Sequence, residues 1–311
     1  MNTIHPDAIV ECVPNFSEGT DAGVVTEIVA AMRVDEVRLL DWSLDAAHNR
    51  SVVTIAGSPR AVLEAAVRGT GRAAQLIDLT RQKGVHPRIG AADVVPFVPV
   101  SGLSLAECAL VARQAGLEIW RRFGVPVYFY EAAAARPDRV NLENVRRGQF
   151  EGLRESAHRD AQRRPDVGGP AVHPTAGASA VGARRFLIAY NIYLAGSESG
   201  ITAARAIARA IRASAGGLHG VKAIGVSVDG RAQVSMNITD FRVTPMSRVH
   251  DKVRELAQTH GAVAAEGEII GLIPLEAYDP QAEWLREIPN FDPEAKVLER
   301  RLEHPLPWPV G

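Results

Sequence analysis

The chain has 311 residues, of which 46% are hydrophobic and 23% charged, a composition typical of a soluble globular protein with room for two domains. The net charge of -1 argues against a nucleic-acid partner, and two cysteines, Cys12 and Cys108, are too few for a disulfide framework. The N-terminus lacks a signal-like apolar run and no stretch reaches transmembrane length, so we expect a cytoplasmic protein without a membrane partner.

The first part of the chain predicts alternating strands and helices. Apolar runs bounded by turn residues predict strands at 8–13, 37–42, 51–56 and 94–100. Helices are expected over 21–32 and from Ser58-Pro59, where serine is an N-cap and proline takes the first helical position. The order is therefore β-α-β-β-α-β. A capping box of Ser104 and Glu107 begins a further helix, which leads to a strand at 125–130.

The region from Arg136 to Val172 is rich in arginine and poor in periodic apolar residues. It predicts a helical connector followed by the Gly/Pro-rich loop 166–177. We place a domain boundary near residue 180, with an N-terminal subdomain over 1–180 and a C-terminal subdomain with a tail over 181–311.

The second part repeats the order of the first. Strands are expected at 185–194, 222–228, 232–238 and 268–273, with helices over 201–213 and after Thr244-Pro245. The Asp229-Gly230 pair predicts a hairpin. After Pro274 the chain forms a tail, helical in part from Pro293 to Arg301. The repeat predicts an α/β fold of the α+β type, with two ferredoxin-like βαββαβ subdomains whose sheets face each other across a ligand groove.

The loop from Arg81 to Asp93 is the strongest candidate for chemistry. Gly84 and Gly90 permit sharp bends or the close approach of a ligand, and Pro87 favours an extended backbone at His86. An imidazole flanked by cations and a carboxylate can transfer protons near neutral pH. The competing interpretation is a turn histidine hydrogen-bonded to backbone.

Other motifs are weaker or absent. The segment from Gly69 to Ala74 matches G-x-G-x-x-A, but it lies inside a helical pattern, whereas a dinucleotide site requires a preceding strand. The sequence has no Walker loop, no H-E-x-x-H and no Cys-x-x-Cys, and we expect no metal.

Several polar residues have both a structural and a binding interpretation. Asn49 and Arg50 either complete a turn and a surface ion pair or bind a carboxylate or amide of a small substrate. Asn191 shares a strand face with Tyr193 and is a plausible ligand contact. An arginine series is typical of a solvated face, although it could attract a polyanion: Arg146, Arg147, Arg154, Arg159, Arg163 and Arg164.

Seven blocks of sequence together resemble glutamate formiminotransferases, and the match is collinear from about residue 10 to residue 275. They are ECVPNFSEG (11–19), HNRS (48–51), KGVHPRIGAAD (83–93), GARRFLIAYN (182–191), QVSMN (233–237), DF (240–241) and GLIP (271–274). Several blocks are long enough to be specific to this family.

The resemblance implies transfer of the formimino group of N-formimino-L-glutamate to N5 of tetrahydrofolate, which is a co-substrate. It also implies two facing α/β subdomains, a homodimer, and a monofunctional protein without the cyclodeaminase domain of bifunctional relatives. Two alternatives stay open. One is the same transfer from formiminoglycine or formylglutamate, and the other is a non-catalytic folate-binding protein.

The resemblance also assigns roles to residues. The histidine of the His-Pro-Arg triplet, His86, is the expected catalytic residue. Arg50 and Arg88 are expected to hold glutamate carboxylates, with Asn49 beside them, and Asp93 and Asn191 to hold the cationic amidine. The expected folate contacts are Gly168, Gly169, Pro170, Ala171, Val172, His173, Pro174, Thr175, Ala176 and Gly177. This chain has His173 and Ala176 where relatives carry an apolar residue and a tryptophan.

Overall fold

A computed structural model describes residues 5–84, 87–196 and 200–310 of the chain. It contains two compact units, Met1–Arg184 with Pro305–Gly311 and Arg185–His304. Each unit has its own sheet and its own hydrophobic core, so the fold is mixed α/β with two sheets. Within the described ranges, none of the helices has the length and apolar character needed to cross a membrane.

The first unit is built on a seven-stranded sheet. Its strands are β1 (Ile9–Cys12), β2 (Asn15–Phe16), β3 (Val37–Asp45), β4 (Arg50–Gly57), β5 (Ala92–Ser101), β6 (Val127–Glu131) and β7 (Ser179–Ala183). β1 and β2 both pair with β4 and β5, so they occupy one position in the sheet on either side of Val13-Pro14. β3 extends the sheet beyond β4, and β7 joins β5 to β6 in parallel.

The helices of the first unit are α1 (Ala22–Ala31), α2 (Pro59–Leu76), α3 (Leu105–Phe123) and the short α4 (Leu142–Val145) and α5 (Gln149–Ser156). The capping box of Ser104 and Glu107 is confirmed. Ser58 precedes α2 as predicted, but its hydroxyl donates to Glu36 and makes no capping bond. The cap prediction was therefore right in position and wrong in mechanism.

The glycines of the G-x-G-x-x-A match lie inside α2, as their helical pattern predicted. A Cβ atom at Gly69 would lie 2.6 Å from Met32 Cγ, and one at Gly71 would meet the ring of Phe123. The glycines therefore allow neighbouring side chains to pack closely against the helix. This packing explains why glycine occurs at both positions, and no nucleotide site is needed to explain it.

Three segments differ from the prediction. The strand predicted over 268–273 lies at Val263–Ile270. The strand predicted over 185–194 is β8 (Ile188–Ala195) of the second unit, whereas β7, which precedes it in the first unit, was not predicted. β7 consists of small residues that are all buried, so it shows no alternation that could reveal it. The end of the tail belongs to the first unit, because Leu306 N donates to Leu39 O at 2.8 Å and Trp308 packs on that unit's core.

The second unit has a four-stranded antiparallel sheet in the order β11-β8-β10-β9, where β9 is Val221–Val228, β10 is Arg231–Ile238 and β11 is Val263–Ile270. Its helices are α6 (Gly200–Ile211), α7 (Met246–Thr259), α8 (Glu283–Arg286), α9 (Pro293–Lys296) and α10 (Leu298–Glu303). Asp229 and Gly230 have φ angles of 50° and 78°, so the predicted hairpin turn is confirmed.

The two faces of the second sheet differ in character. Tyr190, Ile192 and Leu194 of β8 are buried in the core with the apolar side of α6. Asn191 and Tyr193 alternate with them and lie on the opposite face. Gly225 of β9 lies directly beneath α6, where a Cβ atom would be 2.5 Å from the carbonyl carbon of Ala204 and 2.6 Å from Arg205 Cα.

We predict that Gly225→Ala destabilises the second unit by about 2 kcal/mol, because the added methyl would force strand and helix backbones apart. Gly152→Ala is the control, since among the described residues no atom outside its own helix backbone lies within 4 Å of its Cβ position in α5, and alanine favours helix by up to about 1 kcal/mol. Thermal unfolding of both variants provides the measurement. A Gly225→Ala protein that unfolds at the wild-type temperature would contradict the packing described.

Candidate functional site

The predicted catalytic residue, His86, lies outside the described residues, so the site is defined by the described residues that precede and follow it in the chain and by their contacts. In the first unit the described part of the loop from Leu79 to Asp93, here called the histidine loop, meets two segments that are distant in sequence. They are the Ser17–Gly19 turn and the His48–Arg50 turn. Three of the seven blocks that resemble one family, 11–19, 48–51 and 83–93, thus meet in one region of the first unit.

Asn49 joins these three segments. Its side-chain oxygen accepts from the Gly19 N–H at 2.9 Å, and its amide nitrogen donates to Lys83 O at 2.7 Å. Its backbone carbonyl accepts from Gln82 Nε2 at 3.1 Å. The φ of 49° is one that asparagine tolerates better than most residues. These contacts give Asn49 a positioning role, and its predicted contact with substrate stays a prediction.

Arg88 fixes the two ends of the histidine loop against each other. Its guanidinium donates to Gln82 Oε1 at 2.9 Å, to Gln82 O at 2.9 Å and to Leu79 O at 3.1 Å. It also pairs with Glu151 at 3.1 Å, and its side chain is only 10% exposed. Most of its donors are therefore engaged within the protein, and its predicted role as a carboxylate ligand is untested.

A surface cavity of about 480 Å³ lies beside this loop. Its lining includes Gln82, Lys83, Gly84, Arg88 and Glu151, and it is therefore largely polar. A cavity of this size can take a ligand as small as an amino acid derivative.

Asp93 is the buried acid of the region, with a side chain 1% exposed. One oxygen accepts from the Ile89 N–H at 2.8 Å, and the other accepts from Arg50 Nη1 at 3.3 Å and from Arg146 Nη2. The charge of this carboxylate is thus already balanced by guanidinium groups. A cationic amidine at Asp93 would have to compete with both arginines, and that predicted role stays untested.

Arg50 is oriented from two sides. Its Nε and Nη2 donate to Asn15 Oδ1 at 2.8 and 2.5 Å, while Nη1 donates to Asp93. Burial, followed by repulsion from Arg146, lowers the pKa of Arg50 to about 10. The guanidinium therefore stays charged at neutral pH in a place where water screens it poorly, and such a cation attracts an anionic ligand strongly.

The predicted folate loop lies against the histidine loop within the first unit. Leu79 N donates to Thr175 O, and Ala91 N donates to Ala176 O, both at 2.9 Å. Gly90 and Gly177 form a bridge between the loops, and a Cβ atom at Gly90 would lie 2.8 Å from Ala92 O. Residues 168–171 are exposed, whereas Val172 and Ala176 are buried. The structure thus brings two of the predicted site segments together.

His173 closes a turn in this loop. Its Nδ1 accepts from the N–H groups of Ala176 at 3.0 Å and Thr175 at 3.3 Å. Partial burial lowers the pKa of the imidazole. The neutral ring with a free Nδ1 lone pair is therefore the form that fits this turn.

Asn191 lies on the helix-free face of the second unit's sheet. Its amide nitrogen donates to Glu268 Oε2 at 3.1 Å, and Gln233 Nε2 donates to the same oxygen at 3.5 Å. Beside them, the Arg231 guanidinium lies 4.1 Å from the centre of the Tyr193 ring and pairs with Glu266. Asn191 thus belongs to a polar network built around a carboxylate.

The sequence analysis missed Asn15, Arg146, Gln233 and Glu268. Polar residues at every second position of β10 and β11 could have revealed Gln233 and Glu268, since alternation indicates a polar sheet face. Arg146 was grouped with a solvated arginine series, yet its side chain is only 15% exposed and contacts Asp93. The exposed positions of Arg147, Arg154, Arg159 and Arg164 fit the solvated interpretation.

Comparisons with known proteins identify the family of the chain. A family described as "Formiminotransferase domain, N-terminal subdomain" matches residues 9–184, and one described as "Formiminotransferase domain" matches residues 189–292. Glutamate formimidoyltransferase of Streptococcus pyogenes serotype M1 is 42% identical over 94% of this chain and 98% of that protein. The protein of that name from Thermoplasma acidophilum is also 42% identical, over 95% of this chain and 98% of its own length.

The mouse formimidoyltransferase-cyclodeaminase is 39% identical over 86% of this chain, which corresponds to 51% of the mouse protein. The similarity to the two microbial proteins thus extends over nearly their whole length, and the similarity to the mouse protein over about half.

We predict that the turn at His173 loosens on acidification. Because the folded-state pKa lies below the ordinary value of about 6.5, the stabilisation is complete above that pH and is lost as the pH falls towards the folded-state pKa. Amide hydrogen exchange at 173–177 should therefore accelerate below about pH 6.5 relative to the rest of the chain. In His173→Asn, where a side-chain oxygen can accept the same bonds without titrating, this pH dependence should disappear. Equal pH dependence in both proteins would contradict the assignment.

Proposed function

The chain belongs to the formiminotransferase family, and we infer that it transfers the formimino group of N-formimino-L-glutamate to N5 of tetrahydrofolate. The products are 5-formiminotetrahydrofolate and glutamate, and tetrahydrofolate is a co-substrate. The observation that carries this conclusion is the similarity to two glutamate formimidoyltransferases over nearly their full length. The meeting of the histidine loop, the His-Asn-Arg turn and the glycine-rich loop in the first unit supports it.

The ferredoxin-like description of the units is part of the proposal. Its support in the second unit is the element order β-α-β-β-α-β with the strand order β11-β8-β10-β9. In the first unit, β3, β4, β1 and β5 are neighbours in that order, with β7 and β6 added at one side. The homodimer and the cytoplasmic location stay predictions from the resemblance.

The reaction requires two proton movements. N5 of the pterin attacks the amidine carbon, a tetrahedral intermediate forms, and the C–N bond to glutamate then breaks. A proton leaves N5 and another reaches the departing nitrogen. A single imidazole with a pKa near neutrality can serve as base and then as acid, and His86 is proposed for this role. The contacts of Arg88 and Asn49 would hold the backbone on both sides of it.

Binding roles follow from charge. Arg50 is the proposed partner of a donor carboxylate, since Asn15 and Asp93 orient its buried guanidinium. Asn191 is a proposed contact of the amidine, and its pairing with Glu268 provides the negative charge that a cationic group favours. Residues 168–177 are the proposed folate loop, whose exposed glycines allow a flat ring to approach the backbone.

Turnover assays with tetrahydrofolate and several donors test the function directly. The proposal expects glutamate release from N-formimino-L-glutamate. Faster turnover with formiminoglycine or formylglutamate would favour the same transfer from another donor. Folate affinity without any product would instead identify a binding protein.

We predict that His86→Ala lowers kcat by about 100-fold or more, as is typical when a general acid–base group is removed. Thermal unfolding should stay close to wild type, because the expected role is chemical. His158→Ala, which removes an exposed histidine elsewhere in the first unit, is the matched control and should retain activity. Retention of more than about a tenth of wild-type turnover by His86→Ala would reject the catalytic role.

We predict that Arg50→Met raises KM for the formimino donor by about tenfold or more, while KM for tetrahydrofolate changes little. The reason is the loss of a charged carboxylate partner outside the glycine-rich loop. Steady-state kinetics with each substrate varied in turn provides the measurement. Equal weakening towards both substrates would show that the change acts through the structure of the whole site.

A further inference from the structure

Arg146 directly follows α4, and its side chain reaches back to the buried Asp93. Nη2 donates to Asp93 Oδ2, the same oxygen that accepts from Arg50. Its Nε is buried and has no hydrogen-bond acceptor among the residues that the structure describes. A buried N–H group without an acceptor destabilises the folded state, so such groups usually donate a hydrogen bond to a ligand or to water in the functioning protein.

The two guanidinium groups at Asp93 carry more charge than the carboxylate neutralises. Two guanidinium groups share one carboxylate, which leaves these three side chains with a net charge of +1. Asp93 is 1% exposed, and both arginine side chains are 15% exposed, so solvent screens them only in part. Burial lowers the pKa of Arg50 most, and repulsion by Arg146 lowers it further. An anionic ligand would relieve this repulsion and give Arg146 Nε an acceptor.

The proposed donor carries two carboxylates, and the chain must supply a partner for each. Arg50 is one candidate. Arg88, the other candidate from the sequence, already donates hydrogen bonds to Leu79, Gln82 and Glu151. Arg146 has a buried donor, Nε, without an acceptor in the described part of the chain, and it lies close to Arg50, so it meets the requirement better than Arg88 does.

We propose that Arg146 is a second carboxylate-binding residue for the formimino donor, acting beside Arg50 on the shared Asp93. This inference rests on the proposed function, because the carboxylates are those of the donor. The ligand class is a small dicarboxylate derived from an amino acid. Asp93 then acts as a positioning residue that holds both guanidinium groups in place.

The binding role is separable from a structural one. Without Arg146, Asp93 keeps the Ile89 N–H and Arg50 as partners, so its charge stays compensated. Arg146→Gln should therefore fold, and thermal unfolding checks this. Arg147→Gln is the matched control, since the adjacent arginine is exposed and contacts Asn144.

Steady-state kinetics gives the first test. Arg146→Gln should raise KM for N-formimino-L-glutamate by about tenfold to a hundredfold, the loss expected for a charged hydrogen bond. KM for tetrahydrofolate should stay within about twofold. Arg146→Lys, which keeps the charge but not the planar fork, should be intermediate. Arg147→Gln should match wild type. An unchanged donor KM in Arg146→Gln would overturn the inference.

Truncated donors separate carboxylate recognition from a general effect. Formiminoglycine lacks the side-chain carboxylate, and N-formimino-4-aminobutyrate lacks the α-carboxylate. Each donor keeps only one of the two carboxylates. Arg146→Gln should therefore impair turnover of the donor that keeps the carboxylate bound by Arg146, and it should have little effect on turnover of the donor that lacks it. Equal impairment with both donors would overturn the inference.

Calorimetric titration with L-glutamate, the product, keeps this inference distinct from the proposed function because it needs no turnover. Weaker glutamate binding by Arg146→Gln than by wild type and Arg147→Gln would support the carboxylate role even if no transfer were observed. Wild-type transfer together with equal glutamate binding by all three proteins would leave the function standing and overturn the role of Arg146.

Discussion

A buried carboxylate must be compensated by charge or by hydrogen bonds, and Asp93 imposes this constraint on the site of the first unit. Three of its partners among the described residues come from different parts of the chain: the Ile89 N–H at the end of the histidine loop, Arg50 at the start of β4, and Arg146 after α4. Satisfying this one side chain therefore brings it together with residues 43 and 53 positions away in the chain. The positions of the two guanidinium groups are a consequence of that requirement.

The backbone around this carboxylate is held by a second set of contacts that depend on residue size. Asn49 can bond to both Gly19 and Lys83 only because glycines line its surroundings. A Cβ atom at Gly84 would lie 2.8 Å from His48 O, and one at Gly19 would lie 2.6 Å from Arg50 O. The glycines of the motif blocks thus permit the close approach of loops to each other, in addition to any approach of a ligand.

Much of the fold could be predicted because its elements carry strong local signals. The periodicity of α2, the capping box of α3 and the Asp229-Gly230 turn are each local, and each was found where expected. β7 and the position of the tail were missed because they carry no such local signal. β7 is made of small buried residues without alternation, and Leu306 is placed by a hydrogen bond to Leu39, 267 positions earlier in the chain. Neither signal lies within a short window of sequence.

The candidate site shows the same limit more sharply. Motif position identified the His-Asn-Arg turn and the histidine loop, but the role of an arginine depends on which acceptors lie within reach of it. Arg50, Arg88 and Arg146 are chemically identical, yet Arg88 is bound by backbone carbonyls of its own loop, whereas the other two share a carboxylate. A guanidinium saturated by backbone serves to shape a loop. A guanidinium that shares its carboxylate partner with a second guanidinium is only partly neutralised and can bind another anion. No pattern in the sequence distinguishes these two kinds of arginine.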